Sequence, residues 1–294
     1  MTVGMRPFRF GVDMIVATGR AAWTEKCRRA EELGYDVLGV GDHLGMPAPF
    51  PALMLAADHT ERIRLNTFVL NAGFYNAVLL ARDVIGTDVF SDGRFELGLG
   101  AGYVQAEFDA AGIPFPTAGQ RLDHLEQTVK ELNRLYADPD HRPRPVQQPG
   151  PPLLIGGRGD RLLTIAAEHA DIVGFVGAAP TAHRSLADTE DLTERLQFLN
   201  ARLGERASEV ELNILVHFVK ITDDRRAGLA EVHEQIPDRT IEQLAELPTV
   251  LVGTAQQIAE QVIGHRERFG FSYFTVIEHH LEALAPVIEL LHGK

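Results

Sequence analysis

The fold is decided by the stretch Asp36-Val37-Leu38-Gly39-Val40-Gly41-Asp42-His43. It follows a short amphipathic segment at residues 21–33, and its apolar run without alternation is typical of a strand buried on both faces of a parallel sheet. The run ends in an acid and an imidazole. A buried parallel strand therefore delivers two polar side chains to its carboxyl end, where α/β barrels keep their chemistry.

Two further apolar runs end in glycine-rich turns: residues 94–99 lead into Gly100-Ala101-Gly102, and residues 152–155 lead into Gly156-Gly157-Arg158-Gly159. Short apolar runs alternate with helical periodicity along the chain, which predicts eight strands, at residues 8–12, 36–41, 63–70, 94–99, 153–155, 171–176, 210–221 and 272–277. We therefore predict an α/β protein with a closed (β/α)8 TIM barrel. An open doubly wound sheet is the alternative, but no G-x-G-x-x-G follows the first strand.

The length of 294 residues suits one barrel domain over residues 1–294. Helical periodicity occupies most of the connections, and Thr254 with Gln257 predicts a capping box at the start of a helix that ends near residue 268. Six prolines between residues 137 and 152 instead predict a surface loop that leaves the regular barrel.

Composition narrows the class of partner. A formal net charge of −13 argues against nucleic acid or an anionic membrane surface as the main partner. No apolar run has the length of a membrane span, and the first ten residues lack the apolar region of a secretory signal, so we expect a cytoplasmic protein. The single cysteine, Cys27, excludes an internal disulfide and a thiolate zinc cluster.

Asp42 and His43 are the first candidates for catalysis. Histidine donates or accepts a proton at neutral pH, and a neighbouring aspartate fixes its tautomer or bonds a cofactor. The simpler alternative is a histidine that caps the following loop. The place of the pair at the end of a barrel strand favours a catalytic role.

The two glycine turns are candidates for cofactor binding. Gly100, Ala101 and Gly102 let the backbone approach a ligand closely, although a tight turn without a ligand has the same pattern. The segment from Gly156 to Gly159 lies between a strand and a helix. It contains Arg158, and Arg161 follows it. Backbone amides, a helix N-terminus and two guanidinium groups suit phosphate, whereas the simpler alternative is a flexible turn with solvated arginines.

Other polar residues give weaker signals. Asn71, after the third predicted strand, either bonds the polar edge of a heterocycle or forms an Asx turn that opens the next helix. Glu278-His279-His280 superficially resembles a metal-ligand set, but adjacent histidines on one loop seldom bind one ion, so we expect no metal. No G-x-S-x-G occurs. The scarcity of nucleophiles favours chemistry carried by a cofactor.

Together these residues resemble the bacterial-luciferase-like superfamily, and within it the deazaflavin (coenzyme F420)-dependent oxidoreductases. The likeness covers nearly the whole chain in order, through residues 9–12, 30–36, 41–43, 80–83, 91–94, 97–102, 107, 151–157, 170–171 and 252–254. The resemblance implies a barrel that binds a flavin-like cofactor at the carboxyl ends of its strands.

The resemblance also implies roles for particular residues. Asp42 would contact the ring system of the cofactor, and His43 would act near the ring as acid, base or positioning residue. A cis non-proline peptide would lie behind the ring, at Phe68–Val69 or one residue earlier. The cofactor side chain and phosphate would lie along the two glycine turns, from residues 100–102 to residues 156–159, with Arg161.

One position departs from the family pattern. The F420-dependent sugar-phosphate dehydrogenases carry a glutamate directly after the second glycine of the fourth-strand turn, and here that place is Tyr103. The departure puts a sugar-phosphate substrate in doubt and leaves His43, Tyr103 or water as the acid. We expect the substrate pocket to be lined by residues 46–50, Tyr103, residues 177–188 and residues 278–280.

Three functions follow in order of preference. The first is an F420-dependent oxidoreductase that moves a hydride between the deazaflavin C5 and a small organic substrate. The second is an FMN-dependent two-component monooxygenase of the same fold, which takes reduced flavin from a separate reductase. The third is a non-redox barrel, either a metal-dependent hydrolase or a ligand-binding protein. We also expect a homodimer, because residues 51–57 are apolar enough to form an interface.

Overall fold

The computed structural model describes residues 6–175 and 189–294, so the last residue of the sixth predicted strand and the predicted pocket wall at residues 177–188 lie outside it. The strands are β1 Arg9–Asp13, β2 Val37–Val40, β3 Arg64–Thr67, β4 Leu70–Asn71, β5 Phe95–Gly100, β6 Leu153–Gly156, β7 Ile172–Phe175, β8 Glu211–Val216, β9 Phe218–Ile221, β10 Val250–Gly253 and β11 Phe271–Ile277.

The barrel is closed and parallel. Its neighbours follow the order β3, β2, β1, β11, β8, β7, β6, β5, and β3 also pairs with β5, which joins the two edges. The short strand β4 continues β3 after a two-residue interruption and pairs with β5. The predicted (β/α)8 barrel is confirmed, and the open-sheet alternative is wrong.

Helices fill the connections: α1 Arg20–Glu32, α2 Pro49–Ala57, α3 Ala77–Phe90, α4 Gln105–Ala111, α5 Ala118–Ala137, α6 Asp160–His169, α7 Thr189–Leu203, α8 Arg225–Gln235, α9 Ile241–Glu246, α10 Ala255–Phe269 and α11 Leu281–Leu291. The predicted capping box is confirmed, because Thr254 and Gln257 bond each other's backbone at the start of α10. In the part of the chain that the model covers, no helix is long and apolar enough to cross a membrane.

The predicted single strand at residues 210–221 is wrong, because the strand is interrupted at His217. The amides of His217 and Phe218 both donate to the carbonyl oxygen of Thr249, at 2.9 and 3.2 Å. This contact draws β9 out of the barrel to pair with β10 in a separate two-stranded sheet. Together with α8 and α9 the small sheet encloses its own apolar cluster, built from Leu229, Val232, Ile236, Leu244, Leu247, Val250 and Val252.

Residues 138–152 form neither helix nor strand, as the six prolines predict. The segment is fastened to the barrel wall by Asp88, which is fully buried. Asp88 accepts the backbone amides of Val146 and Gln147 and one hydrogen bond from the Gln147 side chain. Gln147 also bonds Arg64, so the loop lies against the amino-terminal end of the barrel.

Alternate residues of each strand point into the barrel and form layers. At the amino-terminal end, Arg9 forms ion pairs with Glu96 and Glu211, and Arg64 pairs with Glu96. Above them lies an apolar layer, which consists of Val37, Leu154, Ile172 and Tyr273. At the carboxyl-terminal end, where the resemblance places the cofactor, the inward positions are largely glycines.

Candidate active site

The mouth of the barrel has a floor made by Phe68 and Val69, the two residues that separate β3 from β4. Their peptide bond is cis, in the first of the two registers considered above. Gly39, Gly100 and Gly156 surround them. A side-chain carbon added at these glycines would lie 2.9 Å from Phe68 Cβ, 2.9 Å from Val69 Cγ2 and 3.2 Å from Val69 Cγ1. Because these glycines have no side chains, Phe68 and Val69 fit inside the barrel. Backbone therefore lines the opening around them.

Asp42 holds this floor in place. Its carboxylate Oδ2 accepts the backbone amide of Asn71 at 3.0 Å, and the carboxylate also accepts the hydroxyl of Tyr75. Burial raises the pKa of Asp42, and these two hydrogen bonds oppose that rise. Asp42 thus holds the end of β4, two residues after the floor residue Val69.

His43 faces a different partner. Its Nδ1 lies 2.8 Å from Glu107 Oε1, and the imidazole is 35% exposed while the Glu107 side chain is 14% exposed. Glu107 comes from α4, which follows the glycine turn after β5. The ring of Tyr103, 71% exposed, meets the imidazole edge to face with centroids 6.0 Å apart. The arrangement is an imidazole oriented by a carboxylate, with Nε2 left to exchange a proton with a bound group.

Asn71 forms the Asx turn that was one of its two predicted roles. Its Oδ1 accepts the amide of Gly73 at 3.0 Å and caps the short 3-10 helix Ala72–Phe74. Gly102 packs directly on this side chain: a carbon added at Gly102, whose φ is +71°, would lie 2.1 Å from Asn71 Oδ1. Arg121 donates to the carbonyl oxygen of Gly102 at 2.8 Å. Residues 100–102 are thereby fixed at the rim, with Ala101 half-buried.

The second glycine turn connects β6 to α6. The amide of Gly157 bonds the carbonyl oxygen of Gly174 at 2.9 Å, and Gly159 is the N-cap of α6 with open space beside its Cα. Arg158 forms an ion pair with Asp191 of α7. Arg161 turns away to α5, where it pairs with Asp123 and donates to the carbonyl oxygen of Gly119. The turn therefore offers backbone and a helix N-terminus to the rim, while Arg161 joins two helices.

Two acids lie at the mouth: Asp13, which the sequence pattern did not single out, and Glu278, which belongs to the predicted pocket wall. Asp13 ends β1 and lies inside the barrel, where its carboxyl accepts the Gly41 amide and its Oδ1 has no partner. Burial, and then repulsion from Glu278, raises the pKa of Asp13 to about 7. Glu278 is 8% exposed and bonds Lys26 of α1 at 2.8 Å. The signal available in the sequence was alternation, since Arg9, Gly11 and Asp13 share one face of β1.

The triplet Glu278-His279-His280 is divided between different contacts. Glu278 pairs with Lys26, whereas His280 Nε2 lies 3.0 Å from the carbonyl oxygen of His217. Burial lowers the pKa of both His217 and His280 to about 4. Among residues 6–175 and 189–294, the cluster with metal-ligand spacing is instead Glu126, Glu168 and His169, on the outer surface of α5 and α6.

The buried Asp13 makes stability depend on pH. Its carboxyl loses the proton near pH 3.8 in the unfolded chain and near pH 7 in the folded one. Stability from this group is therefore present below about pH 4 and disappears as the pH rises through 7, a loss of about 4 kcal/mol at 1.36 kcal/mol per unit. We expect Asp13→Asn to remove this loss, so that the variant gains on wild type as the pH rises.

Urea unfolding at about pH 4, 6 and 8 measures the difference between variant and wild type. The exposed Asp58→Asn is the matched control; its pair with His59 lies at the surface, so its difference from wild type should change with pH by much less than that of Asp13→Asn. A constant difference for Asp13→Asn would contradict the buried, protonated state of this carboxyl.

The carboxyl end of this closed barrel carries a hydrogen-bonded histidine–glutamate pair, and similarity to known proteins identifies the class of the chain. The model of the luciferase-like monooxygenase family matches residues 5–245. The chain belongs to this family, as the sequence resemblance indicates.

Two relatives of known activity show the range of chemistry in the family. The oxygenase component of flavin-dependent trigonelline monooxygenase from Acinetobacter baylyi is 29% identical over 153 residues, 46% of this chain and 42% of that protein. F420-dependent glucose-6-phosphate dehydrogenase from Intrasporangium calvum is 34% identical over 121 residues, 37% of this chain and 36% of that protein. The chain thus spans less than half the length of these curated relatives.

Solved structures match over the whole fold. The F420-dependent tetrahydromethanopterin reductase from Methanopyrus kandleri superposes with a TM-score of 0.75 at 18% identity, covering 97% of this chain and 100% of that one. The monooxygenase RslO1 from Streptomyces bottropensis gives 0.73 at 21% identity, covering 96% and 97%. These likenesses show that the chain has the same barrel fold.

Proposed function

We propose that this chain is an oxidoreductase that uses coenzyme F420 to transfer a hydride between the deazaflavin C5 and a small organic substrate. The observation that carries the proposal is the contact of His43 with Glu107 beside the floor. Reduction of a polar double bond by hydride requires one proton at the other atom, and this pair is built to supply it. The F420-dependent relatives support the choice of cofactor.

The residues present fit a flat ring system bound through backbone. Glycines at the inward positions let Phe68 and Val69 form the floor, and Gly102 cannot carry a side chain without displacing Asn71. The ring would lie against Phe68 and Val69. The phosphate-bearing side chain would follow residues 100–102 and 156–159 toward the N-terminus of α6, whose amides and dipole suit an anion.

The bound cofactor supplies two-electron hydride chemistry, because deazaflavin has carbon where flavin has N5. The chain does the rest. Asp42 and the floor would set the plane against which donor and acceptor are brought to about 3–3.5 Å. Glu107 orients the imidazole of His43, and His43 Nε2 would give or take the proton at the substrate. Tyr103 packs edge to face against the imidazole.

The second candidate is the oxygenase component of an FMN-dependent two-component monooxygenase. It is favoured by the match to trigonelline monooxygenase. That match extends over 153 residues and is longer than the match to the glucose-6-phosphate dehydrogenase. It would take reduced flavin from a separate reductase and consume oxygen, whereas the F420 reaction exchanges its two electrons between F420 and the small-molecule substrate. The non-redox alternative finds no support among the relatives. A homodimer through α2 and a cytoplasmic location stay predictions.

Two assays on the purified chain separate the candidates. Under anaerobic conditions, reduced F420 is mixed with a set of small carbonyl compounds and its reoxidation is followed by absorbance. In a parallel experiment, reduced FMN is supplied and oxygen uptake above the uncatalysed rate is recorded. We expect catalysed reoxidation of F420 and no catalysed oxygen uptake. Uptake with FMN and inactivity with F420 would overturn the proposal in favour of the monooxygenase.

A further inference from the structure

We infer that Asp13 and Glu278 form a substrate-recognition site in the wall of the mouth, and that it takes a neutral carbonyl oxygen as the acceptor of a hydrogen bond from the Asp13 carboxyl. The inference rests on the proposed function, because it names the substrate class of the same mouth. It assigns the end of β1 and the end of β11 to the substrate. These lie on the other side of β2 from the strands that carry the floor.

The position of Asp13 carries the first step. Asp13 is aligned with Gly39 of β2 and with Ile277 of β11, so its inward side chain has a neighbour without a side chain on the β2 side. A carbon added at Gly39 would lie 3.7 Å from Asp13 Oδ1 and 2.9 Å from Phe68 Cβ. The unpartnered oxygen of Asp13 and the floor residue Phe68 therefore flank the same point at the bottom of the mouth.

The second step is the hydrogen-bond inventory. Asp13 is 7% exposed and Glu278 is 8% exposed, yet Asp13 Oδ1 and Glu278 Oε1 both lack a hydrogen-bond partner. Buried polar atoms are almost always paired in folded proteins. These two carboxyl oxygens lie at the end of β1 and directly after β11, which are adjacent strands. Their lack of a partner indicates that a group from outside the chain completes the site.

The third step is charge. The titratable groups that face Asp13 are Glu278 at the end of β11 and, beyond it, Lys26 of α1; β2 contributes the Gly41 amide, and the floor contributes the Phe68 ring. Lys26 is paired with Glu278. Among residues 6–175 and 189–294, the charged neighbour of Asp13 is Glu278; burial and this neighbour raise the pKa of Asp13, so Asp13 takes the proton. A protonated carboxyl is a hydrogen-bond donor, and the complementary ligand group is a neutral acceptor.

The same charges select against other ligands. A carboxylate or phosphate would be repelled by Glu278 in a low-dielectric wall. An ammonium group would require Asp13 to give up its proton. A ketone, aldehyde or amide oxygen requires neither, and reduction of such a carbonyl by hydride is the chemistry that the proposed function supplies.

Three probes with one ring test the assignment: cyclohexanone, cyclohexylammonium and cyclohexanecarboxylate, titrated separately into the chain and followed by ligand-detected NMR. The variants are Asp13→Asn, whose amide still donates, and Asp13→Leu, which does not. We expect cyclohexanone to bind wild type and Asp13→Asn within about 3-fold of each other at about pH 6, and Asp13→Leu about 10-fold more weakly. Asp58→Asn should match wild type.

The pH dependence is an independent readout that requires no unfolding-prone variant. Between about pH 6 and 8, the affinity of wild type for cyclohexanone should fall about 10-fold as Asp13 loses its proton, while Asp13→Asn stays constant. Undetectable binding at about 10 mM, an unchanged affinity across the pH range, or preference for cyclohexylammonium that Asp13→Asn abolishes would each overturn the inference.

The outcome is distinguishable from failure of the proposed function. The titrations are made on the chain alone and repeated with F420 added. If F420 does not bind but the probe follows the expected pattern, the carbonyl site stands and the choice of cofactor fails. If F420 binds and the probe ignores Asp13, the cofactor proposal stands and the carbonyl site fails.

Discussion

Replacing His43 with Ala is expected to slow turnover about 10²- to 10⁴-fold while leaving the affinity for F420 within about 2-fold of wild type. In the proposed reaction the imidazole, oriented by Glu107, exchanges the proton, and it is not part of the floor or the glycine turns. Transition-state proton transfer should therefore suffer and cofactor binding should not. The measurement is anaerobic reoxidation of reduced F420 by a carbonyl compound that wild type accepts, together with a cofactor titration.

Two further variants sharpen this prediction. Glu107→Gln keeps a hydrogen-bonding partner for Nδ1 and leaves the imidazole in place, so its loss should be smaller than that of His43→Ala, about 10-fold. His292→Ala removes an exposed histidine after α11 and should turn over like wild type. Unchanged turnover in His43→Ala would remove His43 from the mechanism. A parallel collapse of F420 affinity would show that it binds the cofactor instead.

The second large effect is expected at the other end of the barrel. Arg9→Met should lower the free energy of unfolding by about 3–5 kcal/mol. Burial lowers the pKa of Arg9, but Glu96 and Glu211 more than offset this and raise it above its ordinary value. Glu96 and Glu211 are 1% and 5% exposed, so removal of the guanidinium leaves two buried carboxylates without their shared cation.

Urea unfolding measures this effect, and Arg29→Met is its matched control. Arg29 pairs with Glu282 on the surface, with both side chains exposed, so its replacement should lower the free energy of unfolding far less than Arg9→Met. Equal losses for the two variants would contradict the view that the inner ion pairs are held in a low-dielectric interior. Since the pairs lie below the apolar layer, cofactor affinity at the mouth of the folded Arg9→Met protein should match wild type.

Much of the fold was predictable because local hydrophobic periodicity determines its strands and helices. Alternating apolar runs and helical segments define the barrel, and the carboxyl ends of its strands must meet at one rim, which brings Asp42, Gly100 and Gly156 together. The break after β8 was not predictable, since the apolar run continues through Val219. The contact that divides it, with Thr249, comes from a distant part of the chain.

The site was only partly predictable for a related reason. His43 could be chosen from its place after a strand, but its partner Glu107 lies on a seven-residue helix whose N-cap, Val104, makes no side-chain bond. Asp13 and Glu278 come from opposite ends of the sequence and meet only through barrel closure. Arg161 fits a phosphate pattern locally, yet its pairing with Asp123 depends on how two helices lie side by side.

We propose that the glycine-lined backbone at the carboxyl end of the barrel binds a deazaflavin. Calorimetric titration of the purified chain with F420, alongside FMN, tests it most directly. We expect saturable binding of one F420 per chain, with a dissociation constant of about 10 μM or lower and at least about 10-fold weaker binding of FMN. Absence of saturable binding by F420 would contradict it.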